Sequence, residues 1–241
     1  MITIVTWLWN RTGKPVTHNF VNHTYTYEHV NAVYEMVKRH YRKPFRFVCI
    51  TDSLNGIECE TIPLWKDYLH LAGIVPGTFC RVKIFSPEMR ELLGPRIISL
   101  DLDCVIVDNL QPIFDRKEPF IGWVATRWKG GPVLYNASIF ALNTGAFPKL
   151  WTDFKGARSI KEMAAHGFTS KCGTEQAWAS YKLGPHMPVW TFKEGVVSYK
   201  YQVKRRENKT LPPGARIIFF HGALKPENAR HIEWVDKFYP K

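Results

Sequence analysis

Two hydrophobic periods alternate along this chain. Ile2-Thr-Ile-Val-Thr-Trp-Leu-Trp9 is an apolar, β-branched run that predicts a core strand. From Tyr27 to Arg42, apolar residues recur at Val30, Val33, Tyr34, Val37 and Tyr41 above a polar face, which predicts an amphipathic helix. Phe45-Arg-Phe-Val-Cys-Ile-Thr51 is again β-rich and stops at Asp52. Strand, helix and strand in that order predict a parallel pair in an α/β sheet.

The pattern continues with a short strand within 58–65 and a helical stretch over 77–93 that Pro87 interrupts. The apolar run from Arg96 to Leu110, with Asp101 and Asp103 in its middle, reads as the next strand, followed by a helical turn from Asn109 to Asp115 and a strand from Phe120 to Ala125. Arg127-Trp-Lys-Gly-Gly-Pro132 reads as a mobile loop, and Tyr135 to Leu142 as another strand. Helical spacing covers Phe147 to Phe154, Ser159 to His166 and Glu175 to Tyr181. Strands return at Val189 to Phe192, Val196 to Val203 and Arg216 to Phe220. The fold class is therefore α/β, with a parallel core in the first half and mixed strands later. Ligands in such sheets bind beyond the carboxyl ends of the strands, where Asp52, Asp101 and His221 fall.

Composition narrows the class. At 241 residues, 45% hydrophobic and 14% aromatic, the chain suits one globular domain and excludes wholesale disorder. It shows no basic leader and no apolar run of bilayer length, so the expectation is a cytoplasmic protein with no transmembrane segment. Five scattered cysteines without paired spacing fit reduced thiols better than disulfides or zinc. The net charge of +12 points to an anionic partner, whether nucleic acid, membrane or phosphorylated molecule. Oligomeric state is not written in any of this.

Asp101 and Asp103 pose the sharpest question, because they sit in the middle of an apolar strand where unpaired carboxylates cost several kcal/mol. If the strand stays extended to residue 103, both side chains project to one side and can share a divalent cation such as Mn²⁺ or Mg²⁺. Alternatively Asp101 caps the following turn and Asp103 pairs with an arginine. A second constellation is Phe219-Phe-His-Gly-Ala-Leu-Lys-Pro226. His221 offers a nitrogen ligand, Gly222 allows a close turn around a ligand, and Lys225 offers an ammonium to a phosphate.

Apolar strand and Asp101-x-Asp103, then Tyr135-Asn-Ala-Ser-Ile-Phe-Ala-Leu-Asn143, then Thr174-Glu-Gln176, then His221-Gly-x-x-Lys-Pro226 follow one another in an order that resembles a known family. They look like the retaining glycosyltransferases of the glycogenin and lipopolysaccharide galactosyltransferase type. The resemblance implies a single-domain, Rossmann-like GT-A fold over 1–241, with a nucleotide-binding part at 1–110 and a sugar and acceptor part at 111–241. It implies Asp101, Asp103 and His221 as ligands of Mn²⁺ (or Mg²⁺). It implies a nucleotide-sugar donor of the UDP-sugar kind, touched by Thr6, Asn10, Asp52, Arg81, Leu102, Asn136, Asn143 and Gly222. Gln176, Glu175 and Lys225 would carry the catalytic roles, Gln176 beside the anomeric carbon and Lys225 on the diphosphate. Relatives usually have Gly at the position of Ser138 and Asp at that of Glu175, which bears on which sugar fits.

The expected function is metal-dependent glycosyl transfer with retention, to an acceptor that is polyanionic, either DNA with a hydroxymethylated base or an envelope glycan. The basic cluster Lys200, Lys204, Arg205, Arg206 and Lys209 and the loop around Trp128 point to such an acceptor. A non-catalytic basic module that binds nucleic acid or glycan is the alternative. A metal-dependent phosphohydrolase or nucleotidyltransferase is a third reading. On the metal-site reading, Asp103→Asn would abolish metal-dependent turnover but relieve like-charge repulsion, so that metal-free stability holds or rises.

Overall fold

A computed structural model of the protein describes residues 1–9, 25–73, 78–124, 133–168 and 174–240. Asn10, the loop at 127–132 and Cys172 lie outside the described residues.

β1 (Ile2–Leu8) is buried on both faces from Thr3 onward, which places it inside a sheet. It pairs in parallel with β2 (Phe45–Thr51) and with β4 (Arg96–Leu100), and β2 pairs in parallel with β3 (Glu60–Pro63). The predicted parallel core is therefore present. β7 (Tyr135–Asn143) turns the sheet mixed, running antiparallel to β4 and to β6 (Phe120–Val124), with β8 (Val189–Trp190) at the far edge. Among the described residues the order is β3-β2-β1-β4-β7-β6-β8. α1 (Tyr27–His40) buries Val30, Val33, Met36 and Val37 against this sheet, as its spacing predicts. Lys38, Arg39 and His40 occupy its last turn, where cations suit the helix dipole.

A second, three-stranded sheet contains β5 (Cys104–Ile106), β10 (Ile217–Phe219) and β9 (Val196–Ser198), with β10 between the other two. β10 runs antiparallel to β5 and parallel to β9. The apolar run read as one strand from Arg96 toward Leu110 is thus two strands in two sheets. The chain leaves the main sheet after Leu100, bends through Asp101–Asp103 and enters the second sheet at Cys104. The two aspartates lie on the corner and not along one strand face.

Two other expectations change. The stretch 77–93 is a 3₁₀ helix at Phe79–Phe85 followed by the short α2 (Met89–Leu93). Every residue from Phe79 to Phe85 except Lys83 is buried, so this turn is enclosed on nearly all sides and has no single apolar face. The predicted strand Val196 to Val203 stops at Ser198 and becomes a π-helical turn, Tyr199–Val203. Tyr199 leaves strand geometry to stack on Phe220, with ring centroids 4.6 Å apart. The helical stretches after β7 form α4 (Lys149–Thr152), α5 (Ala157–Ala165) and α6 (Glu175–Leu183). α3 (Gln111–Phe114) and α7 (Glu233–Phe238) are two further short helices. No described helix is long and apolar enough to cross a membrane.

Candidate active site

The site is built where the two sheets meet. The register of β5 against β10 sets Cys104 opposite Phe219, and the Phe220 N–H donates to the Asp103 carbonyl at 2.7 Å. That pairing brings His221, just past β10, beside the corner that carries Asp101 and Asp103.

Each aspartate meets a cation of the chain itself. Lys225 Nζ lies 2.7 Å from Asp103 Oδ2 and 3.1 Å from the Phe220 carbonyl, and both side chains are largely buried. Arg81 Nη1 lies 3.0 Å from Asp101 Oδ1, and Arg81 Nε lies 3.2 Å from Glu175 Oε1. The Arg81 Nη2 group also donates to Ser99 Oγ (3.4 Å) and to the Ala137 carbonyl (3.3 Å). These ion pairs are what make two carboxylates tolerable at this corner. The arginine expected for Asp103 belongs to Asp101, and Asp103 takes a lysine.

Burial opposes the charge on Arg81, but Glu175 and Asp101 more than offset it and hold the guanidinium above its ordinary value. Burial raises Glu175 above the usual carboxylate range, and Arg81 only partly offsets that. Burial also pushes the His221 imidazole below its ordinary value, against the pull of Asp103 and Asp101. The ring stacks on Trp123 with centroids 5.1 Å apart. Its Nε2 is buried and has no hydrogen-bond partner among the described residues.

An imidazole nitrogen near two carboxylates is, in donor chemistry, a set that suits Mn²⁺, whereas Mg²⁺ would lean on the carboxylate oxygens alone. The expected metal triad is nonetheless not assembled. Among the described residues no group of three or more His, Cys, Asp or Glu side chains is placed to hold a metal ion. Lys225 and Arg81 occupy the carboxylates instead.

Asn136 and Gln176 come to the same place through β7 and the first turn of α6. The Ala137 N–H donates to Gln176 Oε1 (3.1 Å), and the Ser138 N–H donates to Asn136 Oδ1 (2.8 Å). With Arg81 and Glu175 they line a cavity of about 20 Å³, room for a water. Leu102 is buried on the corner, Thr6 is buried within β1, and Asp52 is exposed just past β2. Gly222 has φ +93°, a conformation that favours glycine, and nothing described lies within 4 Å of where a Cβ would stand. Backbone geometry, not crowding, explains that glycine.

Asn143 is not brought to the site. It pairs with Arg96 at the opposite end of β4 from Asp101 and accepts a hydrogen bond from Arg96 Nη1 at 2.6 Å. A strand rises about 3.3 Å per residue, so Asn136 and Asn143 stand at opposite ends of β7, roughly 20 Å apart. Sequence reasoning also passed over Ser99, Trp7 and Trp123. Ser99 accepts from Trp7 Nε1 at 3.2 Å as well as from Arg81. A lone serine in a buried apolar strand was a legible signal, whereas nothing local marks Trp123 as the platform for His221.

No protein-family model matches this sequence, and no curated protein does. Solved structures match its fold. One is an active-site mutant of LgtC, with TM-score 0.63 and 12% identity over 98% of this chain and 93% of that one. Another is the galactosyltransferase LgtC in complex with donor and acceptor sugar analogs, with TM-score 0.60 and 12% identity over 99% and 97%. The glycosyltransferase GlyE of Streptococcus pneumoniae TIGR4 matches with TM-score 0.58 and 13% identity over 95% of this chain and 57% of that one. The mixed seven-stranded sheet with flanking helices is thus the GT-A-like fold of glycosyltransferases.

Proposed function

We propose that the chain is a glycosyltransferase that moves a sugar from a nucleotide-sugar, of the UDP-sugar kind, to an acceptor with retention of configuration. The observation that carries this is the gathering, at one strand-end corner of a glycosyltransferase fold, of Asp101, Asp103, His221, Arg81 and Lys225.

The chemistry follows from charge. As the glycosyl–phosphate bond breaks, negative charge grows on the leaving diphosphate while the sugar becomes oxocarbenium-like. Lys225 would turn from Asp103 to that diphosphate, at the Gly222 turn. Arg81 would stay to hold Asp101 and Glu175 in place. Gln176 and Asn136 would orient the sugar through their side-chain amides. Only once Lys225 has left Asp103 would Asp101, Asp103 and His221 be the residues to hold a Mn²⁺ or Mg²⁺ ion, which when bound would neutralise further charge on the diphosphate. The acceptor hydroxyl would then meet the anomeric carbon on the leaving-group face, and its proton would pass to the diphosphate. The described cysteines are free, in keeping with work in a reducing cytoplasm.

A second reading also has an observation behind it. Both aspartates are already neutralised by the chain's own cations, so the fold needs no metal, as suits a binding module for nucleic acid or glycan. One experiment separates the two: thermal unfolding and nucleoside diphosphate release with a panel of nucleotide-sugars, with and without Mn²⁺. Stabilisation and release by a nucleotide-sugar support the enzyme. Neither with any donor would leave the binding module.

A further inference from the structure

Many cations of this surface sit beside an acidic partner. Lys38 pairs with Glu35, Lys43 with Asp115, Arg46 with Glu60 and Arg216 with Asp108. The stretch 200–209 differs in density and in pairing. It carries five cations against one acidic residue, Glu207. Lys200, Lys204, Arg205 and Arg206 are exposed and without an ion pair among the described residues.

This stretch is not a loose tail. Tyr199 stacks on Phe220, Val203 is fully buried, and Trp234 Nε1 donates to the Lys209 carbonyl at 2.9 Å. Asn208 and Lys209 both hold positive φ, +48° and +51°. For lysine that conformation is strained, and such strain persists only where the surroundings impose it. The stretch is also beside the active-site corner. β9 and β10 run parallel with Ser198 opposite Phe219, so Lys200 and His221 leave the same end of neighbouring strands. Lys200 is near enough for its charge to act on the His221 ring. Tyr201 is 45% exposed, with Lys200 Nζ 5.5 Å from its ring centroid.

From this we infer that the π-turn and the basic stretch Lys200–Lys209 are the acceptor dock, and that the acceptor is a nucleic acid carrying a hydroxyl. The inference rests on the glycosyltransferase reading. A row of unpaired cations follows a phosphate backbone, and an exposed aromatic beside a cation offers a face on which a base can stack. Such a face takes a base that is unpaired or turned out of its duplex, because a base stacked within a helix cannot bring its hydroxyl into the corner. In the transfer, the bond from the anomeric carbon to the diphosphate breaks and leaves its electron pair there. A new bond forms from that carbon to the nucleic-acid hydroxyl oxygen, whose proton goes to the diphosphate.

The test is binding of a labelled single-stranded DNA oligonucleotide across a salt series. The wild type is compared with Lys204→Ala/Arg205→Ala/Arg206→Ala and with a control triple at the start of α5, Lys155→Ala/Arg158→Ala/Lys161→Ala. The wild type should lose affinity steeply with salt. The dock triple should bind about tenfold more weakly, with a salt slope reduced by about 2, while the control triple keeps the wild-type slope. Equal effects of the two triples would mean diffuse attraction and overturn the dock. Tight binding of a sulfated polysaccharide with no DNA binding would overturn the nucleic acid. Nucleotide-sugar stabilisation is read on the same samples: its absence in the wild type sinks the enzyme reading, whereas its presence without DNA binding sinks only the acceptor.

Discussion

Lys225 Nζ lies 2.7 Å from Asp103 Oδ2, across 122 residues of sequence. The ammonium therefore stands on the carboxylate that a metal ion would need. Lys225→Met should lower metal-free stability by about 3 kcal/mol, because it leaves a buried carboxylate unpaired. The same variant should show a larger Mn²⁺-induced rise in melting temperature than the wild type, since nothing then competes for Asp103. An equal or smaller rise would show that lysine and metal do not compete.

Asp103→Asn tests the pair from its other side. With Lys225 in place, the substitution does not relieve repulsion but strands a buried ammonium. The expectation of unchanged or raised stability is accordingly reversed, to a loss of about 2–4 kcal/mol measured by urea unfolding without metal. Nucleotide-sugar turnover should fall as well. A variant as stable as the wild type would mean that the pair is dispensable to the fold.

Arg81→Lys should not behave as a conservative change. The guanidinium meets Asp101, Glu175, Ser99 and the Ala137 carbonyl from one planar group, and its carbon lies 5.1 Å from the centroid of the Trp7 ring. A lysine has three donors on one atom and cannot span those partners. Thermal unfolding should show a loss of about 2 kcal/mol, and the donor KM should rise. Wild-type values for both would remove Arg81 from the site.

Stability at acid pH has a local test. The Arg116 hydrogen bond lowers Glu118 to about 2 in the folded protein, against 4.5 for an ordinary glutamate. The folded state thus favours the ionised form. Its contribution is fully present above about 4.5 and is lost as pH falls toward about 2. Both side chains are partly exposed, so solvent screening limits the effect to about 1 kcal/mol. Urea unfolding of the wild type should lose more than half of that relative to Glu118→Gln between about pH 5 and about pH 3. Parallel curves would show that the pair contributes nothing.

By itself the sequence determined β1, α1 and β2, because the period of apolar side chains is a local property that each segment displays alone. It also marked the polar residues that interrupt apolar strand ends, Asp101, Asp103 and His221, since buried charge stands out against any such run. What those residues meet was not local. Whether Asp103 faces a metal, an arginine or a lysine depends on β10 pairing with β5, which sets Lys225 within reach. Asn143 was misplaced for the same reason: strand direction is not written in the strand, and the antiparallel register of β7 carried it to Arg96. The break after Leu100 belongs here too. An apolar run of that length reads as one strand, and only the packing of two sheets decides that the chain turns the corner at the two aspartates. Periodicity fixes which face of an element is buried, whereas register and topology, which are contacts between distant segments, decide which charges are paired.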